Sequence, residues 1–152
     1  MKRLAIAIAT TAGLGYAPIA PGTFGSAAGV AIHLLFDHWT LPAQIGLAAA
    51  VTLVGIWASA VAAIHFGRSD PSHVVIDEVA GQLVTYLGTG AGWKGALAGF
   101  LLFRGLDILK PWPANRLEAL HGGVGIVADD IMAGLYGCAM LHALIWLVPA
   151  MR

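Results

Sequence analysis

The sequence predicts an all-α fold: a small helical bundle embedded in a membrane, with short or broken helices and a site at the membrane interface. Hydrophobic residues make up 59% of the 152 residues and charged residues only 11%, whereas a typical soluble domain has about 25% charged residues. Mean hydropathy is +0.81. The alternation of apolar and polar residues that is typical of strands is absent, and alanine is abundant. Too few charges remain to cover a soluble surface, so the composition favours a membrane protein.

The composition also excludes several classes of protein. Eight Lys and Arg residues balance eight Asp and Glu residues, which excludes a basic nucleic-acid-binding protein, so we expect no nucleic-acid partner. The high apolar content excludes a disordered chain. The single cysteine, Cys138, excludes an intrachain disulfide and a cysteine-based zinc site. The length fits one domain over residues 1–152.

The first uncharged stretch covers residues 4–36 and predicts two helices. Two prolines and two glycines between residues 15 and 22 interrupt it, so we expect a helix, a loop, and a second helix from about Ser26 to Phe36. Lys2 and Arg3 before this stretch predict a cytoplasmic N-terminus. A signal peptide, with residues 4–12 as its apolar segment, is the alternative.

The later stretches predict two membrane-spanning helices, at residues 41–64 and 131–148, because each offers about 20 apolar residues in succession. Between them, residues 79–87 and 95–109 predict a helical hairpin around the glycine-rich segment 88–92. Several passes through the membrane are therefore expected.

The acidic residues are the most informative feature of the chain. Six of the eight carboxylates fall into three clusters beside apolar segments: Asp70, Asp77 and Glu78, then Asp107, then Asp129 and Asp130. Carboxylates removed from water must be paired, protonated or bound to metal. A carboxylate at membrane depth is a functional candidate by default.

Two of the clusters have ordinary structural explanations as well. Asp77 and Glu78 lie near the start of a predicted helix, where acidic side chains compensate the helix dipole. Arg104, Asp107 and Lys110 are three residues apart, which places them on one helix face. This spacing fits exposed ion pairs at a helix end and a functional site equally.

The third cluster points more specifically to a metal. Asp129 and Asp130 follow the glycine-rich segment 122–125 and open the predicted apolar helix. Adjacent carboxylates after such a turn suggest a hard cation bound through oxygen. The pattern Asp-x-x-Ala-Gly starts at both Asp77 and Asp130. Small residues let helices approach closely, so we expect these two helices to cross with their acidic ends together, although chance also produces so short a repeat.

A glycine- and proline-containing loop is predicted at residues 21–26, before a helix over residues 27–36. Backbone N–H groups at a helix start, with the hydroxyl groups of Thr23 and Ser26, suit a phosphate group. The alternative is a serine N-cap after a simple turn. The lysine of a Walker A motif is missing.

Charge balance then predicts a metal. If the clusters meet, six carboxylates against Arg104 and Lys110 leave four excess negative charges, or three if Arg68 is included. Such a site would repel a phosphate substrate, so a phosphate substrate requires a divalent cation. Mg²⁺ is the natural candidate because it takes oxygen ligands and accompanies phosphate. Partial protonation of a carboxylate is the alternative.

These segments, in this order, resemble those of the phosphatidylglycerophosphatase A family, at residues 21–26, 77–81, 103–113 and 122–134. The resemblance implies an all-helical, Mg²⁺-dependent phosphatase that converts phosphatidylglycerophosphate into phosphatidylglycerol and inorganic phosphate. It implies a place in phospholipid synthesis at the bacterial inner membrane. The expected location is therefore multi-pass in that membrane, with the active site facing the cytoplasm and with a phospholipid substrate and membrane lipids as partners.

The resemblance also implies residue roles. Five carboxylates are expected to be metal ligands, or to be metal ligands with one of them acting as the base that orients the attacking water: Asp77, Glu78, Asp107, Asp129 and Asp130. Contacts to the phosphate or glycerol are expected from Thr23, Gly25, Ser26, Arg104 and Lys110. His121 would protonate the leaving glycerol oxygen, or would only hold a turn.

Two other functions remain open from the sequence. A small membrane transporter would use the carboxylate clusters to bind a cation or solute in transit, and a lipid head-group phosphotransferase would join head groups without releasing phosphate. The hydroxyl groups of residues 21–26 and the Arg104 and Lys110 pair favour an anionic substrate. The sequence leaves the oligomeric state open.

Overall fold

The protein is a bundle of helices. A computed structural model describes residues 1–117 and 119–151, and the regular structure of this part is all helical, which confirms the predicted fold class. The α-helices are, in order, α1 (Lys2–Ala9), α2 (Pro21–Phe36), α3 (Leu41–Phe66), α4 (Ile76–Thr85), α5 (Trp93–Leu109), α6 (Ala114–Leu117) and α7 (Gly123–Leu147). Single turns of 3₁₀-helix lie at Leu14–Tyr16 and Pro149–Met151.

Proline and left-handed residues determine several of the helix ends. Pro21 is the first residue of α2, a position that proline favours because its missing N–H has no partner there anyway. Gly67 ends α3 with a left-handed backbone (φ +66°), the usual glycine C-cap. Lys110 ends α5 in the same conformation (φ +43°), and Pro111 prevents the helix from continuing.

Helix α4 forms the centre of the bundle. It contacts α2, α3, α5 and α7, and all of its residues except Glu78 are buried. Its apolar side chains, Val79 and Leu83 among them, pack with alanines of α3 such as Ala58 and Ala62 in the main core cluster. The acidic residues at its N-terminal end are therefore held by a helix that has no lipid-facing or solvent-facing side.

Helices α4 and α7 cross at two glycines, as the repeated Asp-x-x-Ala-Gly pattern predicts. A Cβ atom added to Gly134 would clash with the backbone carbonyl of Gly81, and one added to Gly81 would clash with the carbonyl of Asp130 and the ring of Phe103. The two backbones are thus in direct contact. The crossing lies about one turn beyond Asp77 and Asp130, and it brings both acidic residues to the same end of the bundle.

Two predicted helix starts are wrong. α2 begins at Pro21 and not near Ser26, so residues 21–26 form the first turns of a helix and not a loop. α7 begins at Gly123 and not at residue 131, so Asp129 and Asp130 lie nearly two turns inside the helix. In both places glycines allow close packing of the helix: a Cβ atom on Gly123 would clash with the carbonyl of Ile56 in α3.

In the part of the chain that the structure describes, two helices, α3 and α7, are long and apolar enough to cross a membrane. At 1.5 Å per residue, the 26 residues of α3 extend about 39 Å. The most apolar segment of α3 is only 28% buried inside the protein, whereas the core helix of a soluble protein would be mostly covered. The side chains that α3 leaves exposed are large and apolar: Leu41, Ile45, Leu53, Val54, Trp57 and Ile64. This surface indicates a protein in contact with lipid.

Candidate active site

A cavity of about 630 Å³ opens at one end of the bundle, here called the site end. The first residues of α2, α4 and α7 line it, together with the last residues of α5 and the segment after α3. The lining includes all six clustered carboxylates, namely Asp70, Asp77, Glu78, Asp107, Asp129 and Asp130. The convergence that the sequence predicts is therefore present, while the role of each residue stays a prediction.

Three carboxylates form the centre of the site. Asp77, Glu78 and Asp130 each offer one oxygen atom, and these three atoms lie within 4.8 Å of one another. Asp77 and Asp130 are 8% and 3% exposed. Within the described residues, Asp77 Oδ1, Glu78 Oε2 and Asp130 Oδ2 are buried without a hydrogen-bond partner. Buried, unpaired carboxylate oxygens that face one another fit a hard divalent cation such as Mg²⁺.

The electrostatics of the α4 pair agree with a need for positive charge. Burial raises the pKa of Asp77 well above its usual range, and the negative charges of Glu78 and Asp130 raise it further. Burial also raises the pKa of Glu78, although a hydrogen bond with Asp77 and the charge of Arg104 oppose that increase. The ionised forms of Asp77 and Glu78 are therefore unfavourable unless a positive charge compensates them.

Arg104 connects the acidic centre to α2. Its Nη1 donates to Asp107 Oδ2 at 2.5 Å and lies 3.9 Å from Glu78 Oε1. The same nitrogen lies 3.5 Å from Ser26 Oγ. The contacts of Arg104 within the described residues all use Nη1, and a guanidinium group has further N–H donors at Nε and Nη2.

Lys110 supplies the second positive charge. Its Nζ lies 2.8 Å from Asp129 Oδ2, and Asp129 is 5% exposed. The left-handed backbone at Lys110 costs about 1–2 kcal/mol for a residue other than glycine. The ion pair with Asp129 holds the Lys110 side chain at the cavity. The pair thus places an ammonium group beside the central carboxylates.

The predicted phosphate-binding residues of α2 divide into two groups. Ser26 is fully buried, and its hydroxyl group donates to the carbonyl of Gly22 at 3.0 Å while lying next to Arg104. Gly25 lies against α4, where an added Cβ would be 2.6 Å from a backbone oxygen. The cavity lining includes Gly22 but not Thr23, Gly25 or Ser26. Ser26 therefore reaches the site through Arg104 and Gly25 through its packing on α4, whereas Thr23 is only next to Gly22 in sequence.

Gly22 is a site residue that the sequence prediction missed. A Cβ atom there would overlap the carboxylate of Glu78 and would lie 3.2 Å from Arg104 Nη1. The backbone of α2 therefore begins in direct contact with both charged groups. The signal in the sequence was the Pro-Gly-Thr segment itself, which we interpreted as a loop. Asp70, which lines the cavity on the far side, was counted in the first cluster without an assigned role.

His121 lies at the rim of the cavity. It is exposed, and it belongs to the segment that leads into α7. Its position is compatible with a group that reaches a substrate from the solvent side.

The charge around the cavity remains unbalanced. Six carboxylates face Arg104 and Lys110, which leaves a formal excess of four negative charges. The N-terminal ends of α2 and α4 add only partial positive charges. A phosphate group that enters the cavity would meet this excess of negative charge.

The chain is similar to known proteins over most of its length. The model of a family described as phosphatidylglycerophosphatase A matches residues 7–145. An Escherichia coli K12 protein named phosphatidylglycerophosphatase A is 34% identical over 134 residues, covering 86% of this chain and 77% of that protein. A Haemophilus influenzae protein of the same name is 32% identical, covering 87% and 83% of the two chains.

A third relative has a different name. A Bacteroides thetaiotaomicron protein, provisionally named a phosphatidylinositol-3-phosphatase, is 35% identical over 97% of this chain and 99% of its own length. No solved structure resembles the chain closely enough to count as a match. The family model covers nearly the whole chain, and the converging acidic segments agree with it, so the chain belongs to the phosphatidylglycerophosphatase A family.

Proposed function

We propose that the protein is a Mg²⁺-dependent phosphatase that removes the terminal phosphate of phosphatidylglycerophosphate and releases phosphatidylglycerol and inorganic phosphate. The observation that carries the proposal is the group of three buried carboxylates within 4.8 Å, with Arg104 and Lys110 in the same cavity. Family membership and the names of the Escherichia coli and Haemophilus influenzae relatives support it.

Asp77, Glu78 and Asp130 would hold the cation, because their buried oxygens lack partners within the described residues. When bound, Mg²⁺ would neutralise the negative charge of the phosphate and of the phosphoryl-transfer transition state. Asp107 and Asp129 are already paired with Arg104 and Lys110. We therefore propose that these two carboxylates orient the side chains of Arg104 and Lys110 and do not bind the metal directly. Asp129 Oδ1 has no hydrogen-bond partner in the part of the chain described.

The residues of the chain account for each step of hydrolysis. Arg104 and Lys110 would bind the phosphate oxygens, Arg104 through two parallel donors and Lys110 as a point charge. One carboxylate of the cluster would orient a water molecule and accept its proton as the water oxygen attacks phosphorus. The bond between phosphorus and the glycerol oxygen then breaks. His121 at the rim would give that leaving oxygen a proton.

We also propose a multi-pass position in the bacterial inner membrane with the site end toward the cytoplasm. Lys and Arg residues concentrate near the site end, and they include Lys2, Arg68, Arg104, Lys110 and Arg116. Such an excess is typical of cytoplasmic loops. Trp146 is 80% exposed near the other end of α7, about 24 Å from Asp130 along the helix. This placement is typical of side chains at the opposite membrane interface.

A second candidate substrate is phosphatidylinositol 3-phosphate, because the Bacteroides thetaiotaomicron relative has that specificity in its name. Both lipids are phosphate monoesters, and the acidic centre treats their phosphate groups alike. They differ in the alcohol, which is a primary glycerol hydroxyl in one and a ring hydroxyl in the other.

Purified protein in mixed micelles should release phosphate from phosphatidylglycerophosphate when Mg²⁺ is present, and the release should stop with EDTA. A higher kcat/KM for phosphatidylinositol 3-phosphate would assign the second substrate instead. If neither lipid yields phosphate and vesicles that contain the protein show cation flux, the transporter interpretation is correct. Transfer of the phosphate to another head group without free phosphate would identify a phosphotransferase.

A further inference from the structure

An apolar groove lies between α2 and α5, beside the cavity. Its volume is about 280 Å³. All the residues that line it are apolar, namely Ala27, Val30, Leu34, Trp93, Ala96, Leu97 and Phe100. Leu34, Leu97 and Trp93 are 42%, 55% and 70% exposed, so the groove opens toward the surroundings of the bundle. A surface of this kind has to be covered by something apolar.

The groove and the cavity lie along one face of α5, and Arg104 lines the cavity at the end nearer the groove. Successive residues of a helix turn by about 100°, so Trp93, Leu97, Phe100 and Arg104 share one face of α5. At the cavity end of this face, Arg104 Nη1 lies 3.5 Å from Ser26 Oγ. The α2 and α5 backbones are therefore adjacent there, and the groove begins one helical turn beyond the phosphate-binding side chain.

The α2 side of the groove leads toward the cavity in the same way. Ala27, Val30 and Leu34 lie on one side of α2, and Thr23 occupies that side one turn nearer the cavity. Thr23 follows Gly22, which lines the cavity, so this side of α2 leads from the cavity to the groove.

A second apolar groove, between α3 and α7, does not lead toward the carboxylates of the cavity. It has a volume of about 270 Å³, and Val124, Ile131 and Leu135 form its α7 side. At about 100° per residue, those three side chains project from the face of α7 roughly opposite to Asp129 and Asp130. The body of α7 therefore lies between this groove and the carboxylates.

We propose that one acyl chain of the phospholipid substrate lies in the α2–α5 groove while the phosphate contacts Arg104. This inference rests on the proposed function and extends it to the hydrophobic part of the substrate. From Phe100 to Trp93 the groove extends about 10 Å along α5. An acyl chain in it runs from the site end toward the interior of the membrane, which is the direction that the orientation of the bundle requires.

Ala27→Trp tests the proposal, because Ala27 is exposed and its side chain enters the groove without disturbing the core. We expect kcat/KM for dioleoyl phosphatidylglycerophosphate to fall about 10-fold, and kcat/KM for the deacylated head group, which has no acyl chain, to stay within about twofold of the wild-type value. Ala49→Trp, on the exposed surface of α3, is the matched control and should change neither value.

Two kinetic outcomes would overturn the proposal. One is an equal effect of Ala27→Trp on both substrates, and the other is a loss specific to the acylated substrate in Leu135→Trp, which fills the α3–α7 groove. Cross-linking with phosphatidylglycerol that carries a photoreactive acyl chain gives a readout without turnover, and the label is expected on α2 and α5. Failure of the wild-type protein to release phosphate contradicts the proposed function, whereas label on α3 and α7 contradicts the groove assignment alone.

Discussion

Gly22→Ala offers the sharpest test of the site, because it adds a single carbon atom where α2 meets two charged side chains. The new Cβ would lie 3.0 Å from Glu78 Cδ and would overlap Oε1. Carbon atoms in favourable contact are about 3.5–4.0 Å apart, and Oε1 is nearer than Cδ, so the Glu78 carboxylate has to move by about 1 Å or more. The group that moves is the end of a flexible side chain, and the core is not disturbed.

A displacement of about 1 Å in a catalytic group costs about 100-fold in rate, which corresponds to about 2.7 kcal/mol in the activation barrier. We therefore expect kcat for phosphate release to fall about 100-fold in Gly22→Ala. The thermal unfolding midpoint should not fall, because alanine is a better helix former than glycine by about 1 kcal/mol. Phosphate release and unfolding in the same detergent measure the two quantities.

Gly46→Ala is the matched control, since its Cβ in α3 would have no neighbour within 4 Å. It should keep full activity. Glu78→Asp shortens the displaced side chain, so the double variant should lose less activity than the sum of the two single losses in free energy. Activity of Gly22→Ala within about threefold of wild type, or strict additivity in the double variant, would refute the reasoning about this contact.

Three further predictions concern the charges. Asp130→Asn should lower phosphate release by roughly 10²–10³-fold, as loss of one electrostatic group at an active site commonly does. The control is Asp37→Asn, an exposed position at the other end of the bundle, which should keep its activity. Equal activities of the two variants would remove Asp130 from the site. Lys110→Met should destabilise the protein by about 1–3 kcal/mol in denaturant unfolding, because it removes the ion-pair partner of the buried Asp129 carboxylate. Adding Asp129→Asn should restore stability. A single variant as stable as the wild type would show that the pair contributes little. Mg²⁺ at 100 times its dissociation constant should stabilise the wild type by about 2.7 kcal/mol, which is measured as a rise in the unfolding midpoint. EDTA should reverse this rise, and Asp130→Asn should abolish it. An unchanged midpoint would argue against a cation site.

Residue patterns predicted the helical class and the meeting of the acidic segments, because both depend on features that are local in sequence. Long uncharged stretches indicate helices at membrane depth, and the clustering of acids in so apolar a chain requires compensation. The crossing of α4 and α7 was also accessible, since Gly81 and Gly134 follow their acidic residues at the same spacing.

The starts of α2 and α7 were not accessible in the same way. Glycine weakens an isolated helix, so residues 21–26 and 122–125 were interpreted as turns. In the folded chain, Gly25 and Gly123 lie where another backbone comes too close for a side chain, and tertiary packing overrides the local preference. The contacts of Arg104 with Glu78 and Ser26 depend on how three helices pack, which no spacing within one segment specifies.

The glycine crossing of α4 and α7 has a consequence for the ion selectivity of the cation site that we propose. The separation of Asp77 and Asp130 is set by two main chains in contact one turn away, and main chains in contact cannot be pushed apart without unpacking the bundle. Mg²⁺ binds oxygen at about 2.0–2.1 Å and Ca²⁺ at about 2.3–2.6 Å with more ligands. A ligand frame that resists expansion should therefore discriminate against the larger ion, so Ca²⁺ should inhibit poorly even at concentrations well above those of Mg²⁺.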